Sequence, residues 1–124
     1  MSLLLDTHVV LWWLTDDPTL SGDLKTRIDR EPDIYVSPAT VWEIAIKQSM
    51  GKLDGLALLP EIVRDSGFRP LSITSEHAVV AGRLPPIHRD PFDRMLIAQA
   101  RCEGLTLVTR DALIQKYEVD ILPA

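Results

Sequence analysis

Residues 3–14, LLLDTHVVLWWL, contain a short apolar run, one aspartate and a longer apolar run. Leu3–Leu5 has the length and composition of a buried strand. Thr7–Leu14 is long enough for a helix that follows this strand directly. A strand that leads straight into a helix is typical of the beginning of an α/β structure.

The rest of the chain continues this alternation of strand and helix patterns. Further strands are predicted at residues 34–36, 69–72, 105–108 and 119–122. Further helices are predicted from Ser21 to near Glu31, from Ser37 to about Met50, at residues 59–67, at residues 75–83, from Asp90 to Gly104 and at residues 111–116. This order predicts an α/β layer structure with a mostly parallel sheet, and the length of 124 residues predicts one domain over residues 1–124.

The composition is that of an ordinary globular protein, because hydrophobic residues make up 46% and charged residues 25% of the chain. No apolar run approaches the roughly 20 residues that a membrane-spanning helix needs, and the chain reaches Asp6 too soon for a secretory signal. The lone Cys102 cannot form an internal disulfide, and no spacing of Cys and His indicates a zinc site. We therefore expect a cytoplasmic protein that does not associate with membranes.

The net charge of −5 argues at first against a nucleic-acid partner, because proteins that bind phosphate usually carry a basic surface. Four carboxylates gathered in one metal site would leave −1 for the rest of the chain, and bound divalent cations would invert the local field. One short stretch is rich in basic side chains: Arg83, His88, Arg89, Arg94 and Arg101. These side chains either form a basic rim around the acids or are ordinary solvated charges.

Three acidic residues lie where a parallel sheet forms its sites, beyond the carboxyl ends of the strands. Asp6 directly follows the first strand, Asp111 follows the fourth after a Thr-Arg pair, and Asp93 lies in the first turn of a helix. Glu43 projects from another helix that can converge with them. Hard divalent cations such as Mg²⁺ and Mn²⁺ select oxygen ligands, so convergence of these four carboxylates predicts a site for such a cation.

Each acid also has a purely structural interpretation. Asp6 and Asp111 can cap the helices that follow them by accepting a backbone N–H bond. Asp93 can be the acidic member of a capping box at the start of its helix. Glu43 can be a solvated side chain paired with Lys47 one turn later.

Side chains near the acids have supporting roles. The hydroxyls of Thr7 and Thr109, beside Asp6 and Asp111, either orient a carboxylate or a water at the cation site, or serve turns and caps. The tryptophans are interpreted as helical core or subunit interface, and two of the three histidines as structural: Trp12, Trp13, Trp42, His8 and His77.

Four segments of the chain resemble the PIN-domain ribonucleases, and most closely the toxin component of VapBC toxin–antitoxin pairs. The segments are LLLDTHVVLWW, SPATVWEIAIKQSMGKL, DPFDRMLIAQA and LVTRD, in the order and at about the spacing of the family. The resemblance implies a three-layer α/β sandwich with a mostly parallel central sheet flanked by helices. It also implies that Mg²⁺ or Mn²⁺ is held by a quartet of acids, with Asp90 in a supporting or substitute role: Asp6, Glu43, Asp93 and Asp111.

The resemblance implies hydrolysis of RNA phosphodiesters by metal-activated water, in a toxin that forms a homodimer and is blocked by a small VapB-like antitoxin. Free carboxylates with a pKa of about 4 are weak bases at neutral pH, whereas a bound cation lowers the pKa of water and neutralises charge that develops on the phosphate. Arg89, Arg94 and His88 are the candidates for contacts to RNA phosphate. The sequence is compatible with one cation or two.

Two other functions fit parts of the pattern. An aspartyl-phosphate phosphatase would also place an aspartate after the first strand, but it needs a second acid two residues later, where this chain has His8. A non-catalytic protein-binding or RNA-binding module is the other alternative, and the presence of all four acids argues against it. Metal bound among the acids, without covalent phosphate on Asp6, would separate both alternatives from a ribonuclease.

Overall fold

The computed structural model describes residues 2–53 and 58–124. Five short strands form one sheet: β1 (Leu3–Leu5), β2 (Ile34–Val36), β3 (Arg69–Pro70), β4 (Thr106–Thr109) and β5 (Ile121–Pro123). Their order across the sheet is β3-β2-β1-β4-β5, and each neighbouring pair is parallel. The prediction of a mostly parallel sheet is confirmed, and within the described residues the sheet is entirely parallel.

Among the described residues, six helices connect the strands: α1 (Thr7–Leu14), α2 (Gly22–Arg30), α3 (Pro38–Ser49), α4 (Leu59–Arg64), α5 (Ser75–Arg83) and α6 (Pro91–Glu103). The side chains of Ser21 and Ser37 accept backbone N–H bonds where α2 and α3 begin, as predicted. Gly104 adopts a left-handed conformation with a φ of 66° and ends α6, also as predicted. In the part of the chain that the structure describes, no helix is long and apolar enough to cross a bilayer.

The segment around β3 is less regular than predicted. The helix predicted at residues 59–67 ends at Arg64, because Asp65 closes it and Gly67 turns the chain with a φ of 92°. The strand predicted at residues 69–72 consists of two residues only. The chain therefore reaches the outer edge of the sheet with little regular pairing.

The C-terminal segment also differs from prediction. The helix predicted at residues 111–116 is reduced to a 3-10 turn over Ile114–Lys116. The last strand, predicted to begin at Val119, begins at Ile121 because the Val119 N–H donates to the carbonyl of Tyr117 in a turn. Residues that the apolar pattern assigned to a longer helix and a longer strand therefore form locally hydrogen-bonded turns instead.

Both faces of the sheet are buried. Leu3 and Leu5 of β1 pack into one apolar cluster with side chains of α1, α2 and α3, whereas Leu4 packs into a second cluster with α6 and β4. All three leucines are fully buried. A strand covered on both faces has a continuous apolar sequence instead of an alternating one, which explains the run LLL. The result is the predicted three-layer α/β sandwich.

The strand order reverses at β1. Strands β2 and β3 lie on one side of it, and β4 and β5 lie on the other. The register places Leu5 beside Val108, so β1 and β4 end at the same edge of the sheet. Asp6 and Thr109 are the next residues along these two strands. An open α/β sheet forms its binding crevice at such a reversal, beyond the carboxyl ends of the strands.

Candidate active site

Asp6 joins the end of β1 to the start of α1 and to the end of β4. Its Oδ1 accepts a hydrogen bond of 2.8 Å from the backbone N–H of His8 and thereby caps α1. Its Oδ2 accepts a short hydrogen bond from the hydroxyl of Thr109. Burial raises the pKa of the Asp6 carboxyl, although both hydrogen bonds oppose this shift. The capping interpretation of Asp6 is confirmed. Its role as a cation ligand stays a prediction.

Glu43 is directed inward by α3 and is only 5% exposed. Its Oε1 accepts a hydrogen bond of 2.8 Å from the hydroxyl of Thr7, and its Oε2 lies 2.9 Å from the amine of Lys47. The predicted pair with Lys47 is confirmed, whereas predicted solvation was wrong because α3 packs against α1 and α6. The hydrogen bond to Glu43 raises the pKa of the Lys47 amine, and the negative charges of Asp90 and Asp93 raise it further.

Asp93 lies in the first turn of α6, where Asp90 is the cap. Oδ1 of Asp90 accepts hydrogen bonds from the backbone N–H groups of Phe92 (2.8 Å) and Asp93 (3.3 Å), which confirms the predicted cap. Asp93 does not complete a capping box, because the Asp90 N–H donates instead to Nδ1 of His88. Burial, followed by the charges of Asp90 and Asp6, raises the pKa of the Asp93 carboxyl to about 7.

Asp111 begins the turn that follows β4. Its Oδ1 accepts hydrogen bonds from the backbone N–H groups of Leu113 (2.7 Å) and Ile114 (3.2 Å), and this confirms its predicted capping role. Its Oδ2 lies 3.1 Å from Nε2 of His88. Burial opposes ionisation here, but the hydrogen bonds from His88 and the two amides outweigh it and lower the pKa of the carboxyl. The Asp111 N–H also bonds to the hydroxyl of Thr109.

The role of His88 was missed by sequence analysis. Its side chain is 11% exposed, and Nε2 lies 2.9 Å from Oδ2 of Asp93 and 3.1 Å from Oδ2 of Asp111. Its Nδ1 accepts a hydrogen bond from the Asp90 N–H. Both ring nitrogens are therefore engaged inside the protein, and we do not retain His88 as a phosphate contact. Its position two residues before the α6 cap was a signal for the Asp90 contact, but not for Asp111.

The predicted basic rim is divided by the fold. The terminal nitrogens of Arg94 donate to four backbone carbonyls, those of Gly82, Leu84, Pro85 and His88. We therefore do not retain Arg94 as a phosphate contact either. Arg83 and Arg101 line a separate groove between α5, α6 and the 3-10 turn. Arg89 is exposed, and its contact to phosphate stays a prediction.

A shallow groove opens on one side of the acids, and Asp6 and Asp111 line its floor. Its other lining residues are His8, Trp12 and Arg110, with the Arg110 guanidinium 4.9 Å from the centre of the Trp12 ring. The His8 side chain is 63% exposed, and its structural role stays a prediction. The groove opens Asp6 and Asp111 to solvent on this side.

The remaining aromatic predictions have mixed outcomes. His77 is buried and forms a capping box with Thr74 at the start of α5, which confirms its structural role. Trp12 and Trp13 pack against the apolar cluster on their side of the sheet. Trp42 is 63% exposed and contacts the edge of Phe92, so it is not a core residue. A subunit interface at Trp42 stays a prediction.

The four predicted acids interact electrostatically at this edge of the sheet. The charges of Asp6 and Glu43 both raise the pKa of Asp93, and the charge of Asp111 raises that of Asp6. Ligand atoms of His88, Asp93 and Asp111 lie within 4.8 Å of one another. Buried carboxylates in mutual repulsion need a positive charge among them, and their oxygen atoms suit Mg²⁺ or Mn²⁺. The donor set therefore fits the implied cation.

Comparison with known proteins gives a family from the sequence and a matching fold from the structure. Residues 3–119 match the family model of the PIN domain. The chain is 28% identical over 123 residues to Ribonuclease VapC22 of Mycobacterium tuberculosis, an alignment that covers 94% of this chain and 92% of that relative.

Among solved structures, similar chains come from VapBC2 of Rickettsia felis bound to a fragment of its promoter DNA and from DNA-bound VapBC of Salmonella typhimurium. The TM-scores are 0.76 and 0.73 at 14% and 18% identity, and each match covers 99% of this chain and 98% of the other. A chain of FitAcB from Neisseria gonorrhoeae has a TM-score of 0.69 at 22% identity, covering 97% of this chain and 96% of that one. These likenesses show the fold, and the family model covers nearly the whole sequence; the chain belongs to the PIN domain family.

Proposed function

We propose that this protein is a metal-dependent endoribonuclease that hydrolyses RNA phosphodiesters, and that it is the toxin of a type II toxin–antitoxin pair. The observation that supports the proposal is the electrostatic repulsion that links Asp6, Glu43, Asp93 and Asp111 in a PIN domain. The ribonuclease name of its mycobacterial relative supports the reaction.

In the proposed site the carboxylates of the four acids would hold Mg²⁺ or Mn²⁺. The cation, when bound, lowers the pKa of a water at the scissile phosphate and offsets the charge that develops there. The protein orients the carboxylates before the cation arrives. Thr109 fixes Asp6, and Thr7 and Lys47 fix the two oxygens of Glu43.

Asp93 is the acid whose ionisation responds most directly to the cation. Its carboxyl has a pKa of about 7 in the cation-free protein, because it is buried beside other negative charges. A positive charge at the site favours the ionised form. Binding of the cation at neutral pH therefore displaces a proton from this cluster.

We propose that Arg89 contacts a phosphate of the RNA when the substrate binds at the acids. It is exposed in the loop before the Asp90 cap, one residue from His88. The groove of His8, Trp12 and Arg110 offers a second approach to Asp6 and Asp111.

The proposed partners follow from the similar structures. They are VapBC and FitAB complexes, and one is described as a toxin–antitoxin complex from Klebsiella pneumoniae. We propose a VapB-like antitoxin, a homodimer and action in the cytoplasm, where the RNA substrate is found. The phosphatase alternative is not carried further, because the second position after Asp6 is His8, which has no carboxylate to act as an acid.

The test is cleavage of single-stranded RNA by purified protein. We expect cleavage with Mg²⁺ or Mn²⁺ and none with excess chelator, because the cation activates the water. Replacing the ribose at the cut by deoxyribose should leave cleavage intact. Activity that persists in chelator, or that requires the 2′-hydroxyl at the cut, contradicts the proposal.

A further inference from the structure

His88 is the one histidine at the acid cluster whose ring lies between two of the acids. Its Nε2 is within hydrogen-bond distance of Asp93, on α6, and of Asp111, after β4. The ring thus joins two carboxylates that belong to different elements. A ring nitrogen in this position either binds the cation itself or donates a hydrogen bond to the carboxylates that bind it.

The other ring nitrogen decides between these roles. Nδ1 of His88 accepts a hydrogen bond of 3.2 Å from the backbone N–H of Asp90. An amide N–H can only donate, so Nδ1 carries a lone pair and no proton. This contact selects the tautomer protonated at Nε2 over the one protonated at Nδ1. Its proton is on Nε2, where it faces Asp93 and Asp111.

A protonated Nε2 has no lone pair for a cation. Moving the proton to Nδ1 would set two N–H groups against each other at Asp90, and turning the ring over would break the contacts to Asp93 and Asp111. From this geometry we propose that His88 is a positioning residue of the cation site, which orients the carboxylates of Asp93 and Asp111 through Nε2–H and does not itself bind the cation. This inference rests on the proposed function.

The loop that carries His88 is built to hold the ring in place. The backbone N–H of His88 donates to the Tyr117 hydroxyl at 2.8 Å, and that hydroxyl donates to the carbonyl of Pro85. The carbonyl of His88 accepts a hydrogen bond from Arg94 at 3.1 Å. These contacts hold the backbone of His88, and the Asp90 N–H holds its ring, before any cation binds.

The first measurement is the location of the proton. In protein labelled with ¹⁵N at histidine, the His88 signals are those absent from His88→Gln. We expect proton coupling at Nε2 and none at Nδ1 in cation-free protein at neutral pH, and the same pattern after saturation with Mg²⁺. Loss of the Nε2 proton on Mg²⁺ binding, or a proton on Nδ1 in the free protein, overturns the proposal.

The second measurement is the affinity for Mg²⁺ and Mn²⁺ by titration calorimetry of three His88 variants. The amide nitrogen of Gln lies near the place of Nε2 and can donate, whereas Asn is too short and Ala has no donor. His88→Asn and His88→Ala should therefore lose about 10- to 100-fold in affinity, and His88→Gln should lose much less. The loss should be the same for both cations.

A ligand role predicts a different pattern. An imidazole ligand favours Mn²⁺ over Mg²⁺, so its removal would weaken Mn²⁺ binding more than Mg²⁺ binding in all three variants. That result overturns the positioning role. His77→Gln is the matched control, because His77 is also a buried histidine but lies in the capping box of α5. It should lower the melting temperature and leave both affinities unchanged.

Failure of this inference is separable from failure of the proposed function. Wild-type protein that binds neither cation overturns the proposed metal site. Cation binding that is equal in wild type and in all three His88 variants overturns only the role of His88. Neither readout depends on cleavage of RNA.

Discussion

Single residues at this site serve the fold and the proposed chemistry together. Asp6 and Asp111 each use one carboxylate oxygen to cap the turn that follows them. The other oxygen accepts from the Thr109 hydroxyl in Asp6 and lies beside Nε2 of His88 in Asp111. A carboxylate has two oxygens with about four lone-pair sites, so capping does not exhaust it. The structural and functional interpretations of these acids are therefore compatible, and substitutions must be chosen to separate them.

Asp93→Asn is the substitution that separates them best. Asp90 caps α6, so loss of the Asp93 charge leaves the cap intact. We expect ribonuclease activity to fall by roughly two orders of magnitude, as for removal of a key electrostatic group, and the fold to survive. Cleavage rate and thermal unfolding measure the two effects. Unchanged activity with a melting temperature lower by several degrees would show that Asp93 has only a structural role.

The raised pKa of Asp93 predicts a pH dependence of stability in chelator. The folded protein holds this proton up to about pH 7, whereas the unfolded chain releases it near the ordinary value of 3.8. Wild-type stability should therefore fall as pH rises from about 4 to about 7 and level off above that range. Below pH 4 this contribution disappears.

The comparison is with Asp93→Asn, which has no proton to release at this position. At pH 8 the variant should be more stable than wild type by about 1 kcal/mol, a value discounted for the partial exposure of the carboxyl. Urea unfolding between pH 4.5 and pH 8 measures the difference. If the difference in free energy of unfolding between the variant and the wild type does not widen with pH, the Asp93 carboxyl does not have a raised pKa. Mn²⁺ should stabilise wild type more than the variant, since the variant has lost a ligand.

At the scale of elements, the loop between α5 and α6 is held by side-chain contacts instead of regular secondary structure. Arg94 donates to three carbonyls of this loop, those of Leu84, Pro85 and His88, and to that of Gly82 at the end of α5. This explains how an irregular segment places a ring between two acids. Arg94, which the sequence suggested as a candidate for a phosphate contact, instead holds the loop between α5 and α6.

Arg94→Ala tests this assignment. It leaves two partly buried carbonyls, those of Leu84 and His88, without this donor, and we expect the free energy of unfolding to fall by about 1 to 3 kcal/mol. Arg89→Ala removes an equal charge from an exposed position nearby and should change stability by less than about 0.5 kcal/mol. Urea unfolding of the two variants gives the comparison. Equal stabilities would mean that the carbonyl contacts contribute nothing.

At the scale of the whole molecule, the overall charge of −5 is misleading about the partner. Several of the negative charges are gathered at one edge of the sheet, where a divalent cation would reverse the local field. The proposed enzyme is therefore expected to bind RNA more tightly with Mg²⁺ than with chelator. An acidic protein and an anionic substrate are compatible only because the cation lies between them.

Expression without a partner tests the proposed toxin role. We expect induction of the wild type to slow bacterial growth and Asp93→Asn to relieve the effect at equal protein level, because relief should follow loss of cleavage. Growth curves and immunoblots measure both. Harmless expression of protein that cleaves RNA in vitro would favour a housekeeping nuclease over a toxin.

Much of the architecture was predictable because its causes are local. The apolar run of β1, the serine caps of α2 and α3 and the left-handed Gly104 each act within a few residues of themselves. Parallel strands followed from their alternation with helices. The positions of Asp6 and Asp111 after β1 and β4 were also predictable, because the strand ends of such a sheet follow from the order of elements. The quartet of cation ligands that the family resemblance implies stays a prediction.

Only the tertiary structure decided which side chains face one another. Glu43 looked solvated on its helix and is buried because α1 and α6 cover it. His88 meets Asp111 only because β4 lies beside β1, and 23 residues separate the two along the chain. Sequence patterns record hydrophobicity and capping, which depend on near neighbours, whereas these contacts depend on how distant elements pack.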